Sequence, residues 1–141
     1  MSLPVPPEWH ILVVRADFSD DDAWHKVCDL IAASDCEGYT PTILPVDDQG
    51  LDGAAVADLV RLANAAGPRY MFVVDSVALT GPGHPVLVVD LDAGDGHQGR
   101  VFRAIPAEVA GIDANLGISN MGFEEFADSA DPDGVFRGFP Q

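Results

Sequence analysis

The chain has 141 residues, 48% of them hydrophobic, and a mean hydropathy of +0.13, which is enough to close one core and too apolar for a disordered chain. Seven Lys and Arg against 23 Asp and Glu give a formal charge of -16, so the average surface repels phosphate backbones and anionic lipid. No nucleic-acid or membrane role is expected, whereas a basic protein partner remains open.

Residues Met1 to Trp9 are rich in proline, which disfavours helix and suits an extended lead-in over residues 1–9. This stretch lacks the basic and apolar regions of a signal peptide, and no apolar run reaches membrane-spanning length. Two cysteines, Cys28 and Cys36, stand outside any C-x-x-C or Cys/His metal spacing. We read them as reduced thiols of a cytoplasmic protein.

Ile11 to Val14 is a continuous apolar run between His10 and Arg15, the pattern of a strand covered on both faces. Ser19 opens S-D-D-D, which reads as a helix start, with Asp20, Asp21 and Asp22 in a first turn that favours carboxylates. Trp24, Val27, Cys28 and Ile31 then recur at helical spacing and turn one face inward, to about Ala33. Ser34 to Thr40 reads as loop. Thr42 to Val46 is a second strand, which Pro41 and Pro45 confine to an edge.

Asp47 to Gly50 turns, and Asp52 is placed to cap a helix carrying Val56, Leu59, Val60 and Ala63, stopped by Gly67-Pro68. Tyr70 to Val74, Val86 to Leu91 and Arg100 to Ile105 are three further strands. The links between them, through Gly81-Pro82-Gly83-His84-Pro85 and Gly94 to Gly99, are too short for crossover helices and predict an antiparallel meander. Pro106 opens a helical turn through Val109. Asn115 to Asn120 alternates like a short strand, and Asn120 is placed to cap a last helix with Phe123, Phe126, Ala127 and Ala130 on one face. Val135, Phe136 and Phe139 make the tail, 131–141, too aromatic to leave in water. The expected fold is a single mixed α/β domain over residues 1–141, a two- or three-layer sandwich with a β-α-β-α front half, an antiparallel meander and a C-terminal helix.

No phosphate loop, nucleophile elbow or zinc spacing is present. Gly94 to Gly99 precedes a strand and not a helix, so it reads as a turn. His10, His25, His84 and His97 share no ligand spacing, and neither Ser76 nor Cys28 has a nucleophile's setting. In doubly wound sheets the functional crevice lies beyond the carboxyl ends of the parallel strands, which selects Arg15, Asp17 and Asp75. Together with Trp24, Asn115 and Asn120 they form the candidate binding cleft, with no catalytic residue and no cofactor assigned. Asp17 and Asp75, beside Asp20 to Asp22, are the weak candidates for a divalent metal. Their commoner use is to hold turns while Arg15 pairs with one of them. A receiver domain is excluded, because Arg15-Ala16-Asp17 stands where that site needs an adjacent acidic pair and no late strand ends in lysine.

V-R-A-D-F-S-D-D-D-A-W (Val14 to Trp24), N-L-G-I-S-N-M-G-F-E-E-F (Asn115 to Phe126) and D-G-V-F-R-G-F (Asp133 to Phe139) together resemble an uncharacterised family of small bacterial proteins, commonest in actinobacteria and known only as a domain of unknown function. The resemblance covers nearly the whole chain and implies no reaction. In that family Thr often stands where Ala16 is, Ser where Gly117 is and Asp where Gly122 is. Two functions of different class are therefore expected in order. The first is a non-catalytic, immunity- or antitoxin-like module that binds a basic protein. The second is a divalent-metal-assisted hydrolase of a small anionic substrate, with Arg15 on the substrate.

Overall fold

In the computed structural model, which describes residues 2–63 and 67–139, strand β1 (His10–Arg15) carries four consecutive apolar residues buried on both faces. Burying each such side chain contributes about 1.5–3 kcal/mol, which makes this ribbon the interior of the sheet. Met1, Pro140 and Gln141, the ends of the expected lead-in and tail, lie outside the described residues, as do residues 64–66 beside the expected end of the second helix.

Helix α1 (Asp21–Ala32) follows β1 and buries Trp24, Val27 and Ile31, with Cys28 half-buried on its flank. Its cap is Asp20, not Ser19: the Asp20 carboxylate accepts from the Ala23 N–H at 3.0 Å, which leaves the serine one residue outside. The crossover returns to β2 (Thr42–Val46), parallel to β1 with Ile11 opposite Ile43, at the sheet edge where Pro45 is tolerated.

Helix α2 (Val56–Leu62) begins three residues later than an Asp52 cap implies. Asp52 is drawn away, accepting from the Phe18 N–H at 3.2 Å, and Asp58 reaches back to the Ala55 N–H instead. From there the chain enters β3 (Tyr70–Val74), parallel to β1 on its other side with Arg15 opposite Val74. A short helix not foreseen from the sequence, α3 (Ser76–Thr80), precedes β4 (Val86–Asp90), which runs back antiparallel to β3. Strand β5 (Val101–Ala104) completes the meander.

Asn115 to Asn120 is not a strand. Residues Val109–Gly117 form helix α4, because Val109, Ile112, Asp113 and Leu116 repeat at i, i+3, i+4 and i+7 and bury one face. Helix α5 (Phe123–Asp128) has Gly122 at its N-cap, whose N–H donates to Glu125 at 2.8 Å, so Asn120 does not cap this helix. The tail docks as β6 (Val135–Phe136), parallel to β5, and its rings pack on Phe126, Phe136 edge to face at 5.3 Å and Phe139 tilted at 5.4 Å between centroids.

The strand order is β2-β1-β3-β4-β5-β6. Alternate residues of the central strands feed two cores, one under α1, α4 and α5 around Trp24, Phe72 and Phe102, the other under α2 around Leu12, Met71 and Leu59. Three layers result, in one mixed α+β domain.

Candidate functional site

The carboxyl ends of β1 and β3, where a doubly wound sheet normally opens its crevice, are filled by the protein itself. The Arg15 side chain is 4% exposed, donates to Asp21 at 2.5 Å and to the Asp17 carbonyl at 3.2 Å, and lies 3.4 Å from Asp47. Its guanidinium sits 4.2 Å from the Phe18 ring centroid and 5.5 Å from that of Trp24. Cation and rings thus plug the switch point.

The structure brings Arg15, Asp17 and Trp24 together at this end but occupies each of them. Hydrogen bonds from Ser19 hold the Asp17 carboxyl below its ordinary range, the backbone one at 2.8 Å, and Trp24 is core. Asp75 faces elsewhere: it caps α3 through the Ala78 N–H at 3.1 Å and takes both arms of Arg103, at 2.7 and 3.0 Å. Among the described residues no three His, Cys, Asp or Glu side chains converge as a metal-holding group. Burial pushes the Cys28 thiol up to about 12, the condition of an inert thiol.

Asn115 and Asn120 lie at the opposite end of the sheet. Asn120 donates to the Asn115 side chain at 2.8 Å, and Asn115 donates to the Gly111 carbonyl at 2.7 Å, so the pair locks the end of α4. Asn120 also borders a small cavity of about 290 Å³ that Tyr70 and Asp90 share.

The larger cavity, about 530 Å³, opens beside this one at the amino ends of β1 and β3 and falls within the usual range of ligand pockets. Its wall includes Asp113, 6% exposed, brought inward by the helical spacing of α4. Two tyrosines donate to it. The Tyr70 hydroxyl reaches one carboxylate oxygen at 2.5 Å and the Tyr39 hydroxyl reaches the other.

Each tyrosine is placed by its local backbone. Tyr39 closes a tight turn in which Glu37 and Gly38 both take left-handed conformations, with paired Cys36 and Tyr39 hydrogen bonds at 2.8 and 2.9 Å. Tyr70 starts β3 and lies against Gly117, where an added Cβ would stand 3.2 Å from its hydroxyl, so glycine permits the close approach.

Burial raises the Asp113 carboxyl above its ordinary value, and the two hydroxyls oppose the shift. Burial and then Asp113 push both tyrosines up, so they remain donors. Glu8 and Arg69 also border the cavity, and an Arg69 nitrogen donates to the Leu116 carbonyl at 2.8 Å. At the mouth, Trp9 is 66% exposed with φ 68°, a conformation that bulky residues seldom adopt, and Ile118 is 65% exposed.

A family model described as Domain of unknown function (DUF6924) matches residues 10–139. The chain belongs to that family. A search of curated proteins finds no match. The DUF6924 match takes in the whole sheet and both tyrosines of the cavity, and Trp9 stands one residue before it. In this DUF6924 chain the sequence carries one readable signal for Asp113, a lone carboxylate on the otherwise apolar buried face of a helix. The strand-like alternation of Asn115 to Asn120 masks that phase. Trp9 and Tyr39 carried no comparable signal, because loop residues reveal their direction only through the turn that holds them.

Proposed function

We propose that the protein is a non-catalytic binding module, of the immunity or antitoxin kind, which recognises a basic protein partner in the cytoplasm through the face around the Asp113 cavity. One observation carries this reading: a buried carboxylate shares a cavity with an exposed, backbone-strained tryptophan on a chain of charge -16. Exposed aromatics beside a pocket are typical binding anchors, and a strongly negative net charge steers a cationic partner toward the protein. A metal-assisted hydrolase has less support, since Arg15, Asp17 and Asp75 already spend their polar atoms on one another's turns, on Asp21 and on Arg103.

Immobilised protein is expected to retain a basic partner from extract of its native cell at low salt and release it at high salt. Trp9→Ser should abolish retention. Val77→Ser, an exposed apolar change on α3 at the opposite end, should leave it intact. Retention unaffected by Trp9→Ser would remove this face from the reading.

A further inference from the structure

We infer that the cavity receives a lysine side chain of the partner, its ammonium held among the Asp113 carboxylate and the Tyr39 and Tyr70 hydroxyl oxygens; this rests on the binding-module reading above. An ammonium carries three donors. The cavity offers three acceptor groups in one cluster, because each tyrosine hydroxyl that donates to Asp113 keeps lone pairs of its own.

The charges around the cluster agree with a cation. Two carboxylates, Asp113 and Glu8, line the cavity against one guanidinium, Arg69, which already donates to the Leu116 carbonyl. Asp113, Ala114, Gly117 and Ile118 belong to the last turns of α4 or follow it, so the negative end of that helix dipole points toward the cavity. His10 also lines the wall, and its ring is engaged with the Glu8 carbonyl at 3.1 Å.

Shape then selects among cations. An arginine fork needs both carboxylate oxygens from one side, and here each oxygen already accepts a tyrosine hydroxyl. A compact ammonium can approach a single oxygen. A free small cation would leave the mouth empty, whereas four methylenes can lie along Ile11, Trp9 and Ile118. A lysine side chain therefore satisfies both the polar floor and the apolar entrance.

The test titrates decalysine, deca-arginine and fully Nε-acetylated decalysine into the intact chain at low salt, with calorimetry and the Trp9 indole NMR resonance as readouts. Decalysine should bind and shift the Trp9 signal, and the acetylated peptide should not bind. Asp113→Asn should weaken decalysine about tenfold or more while changing deca-arginine less than about twofold, since only the lysine loses a buried charge partner. Tyr39→Phe should weaken decalysine in the same direction, and it decides the matter if Asp113→Asn does not fold. Equal binding of the lysine and arginine peptides, insensitive to both variants, would overturn the lysine site while leaving a basic partner in place. Failure of both cationic peptides to bind would overturn the two readings together.

Discussion

Replacing Trp24 with alanine is expected to lower the unfolding free energy by about 3–5 kcal/mol. The indole is 2% exposed at the centre of the core that joins α1 to the sheet, and it lies under the Arg15 guanidinium. Truncation removes its buried area, opens a cavity that close-packed neighbours cannot fill, and withdraws one of the two rings that solvate a buried cation. Trp24→Phe keeps a ring there and should cost markedly less. Urea unfolding measures both, and a near-wild-type midpoint for the alanine variant would show that α1 is not pinned to the sheet by this residue.

Asp75→Ala is expected to cost about 2–4 kcal/mol, combining the loss of a helix cap, about 1 kcal/mol, with the loss of a charge-assisted pair worth about 1.5–3 kcal/mol. Asp75 is 27% exposed and Arg103 is 21% exposed, so the guanidinium left behind is only partly rehydrated. Asp75→Asn retains a cap acceptor and should lose only part of this. Thermal unfolding separates the outcomes: an alanine variant as stable as wild type would mean that Asp75 is free for another role.

The order of strands one to five along the chain was legible because the local signals agreed: apolar runs of strand length, helical spacing after S-D-D-D, and links too short for a crossover. Errors arose where polar side chains had several backbone partners to choose from. Ser19 and Asp20 compete for one cap, Asp52 is claimed by Phe18, and Asn115 turns back on its own helix. A strand reading of Asn115 to Asn120 fitted its alternation, but the apolar period beginning at Val109 overrides it.

The cleft was harder to foresee for a different reason. Arg15, Asp17 and Asp75 sit where fold analogy puts a ligand, yet proximity to Phe18, Ser19 and Arg103 satisfies them internally. That internal satisfaction depends on side chains up to 32 residues apart, such as Arg15 and Asp47, which no spacing rule connects. Conversely Asp113, Tyr39 and Tyr70 converge from a helix, a turn and a strand start.

The proposed binding face lies at the amino ends of β1 and β3. Backbone amide NMR shifts recorded while a cationic peptide is titrated in would locate the contact directly. Changes should gather at Trp9 to Ile11, Arg69 to Tyr70 and Asp113 to Ile118. If they gather instead at Ala16 to Phe18 and Asp75 to Val77, the carboxyl-end crevice is the working surface and the cavity account is wrong.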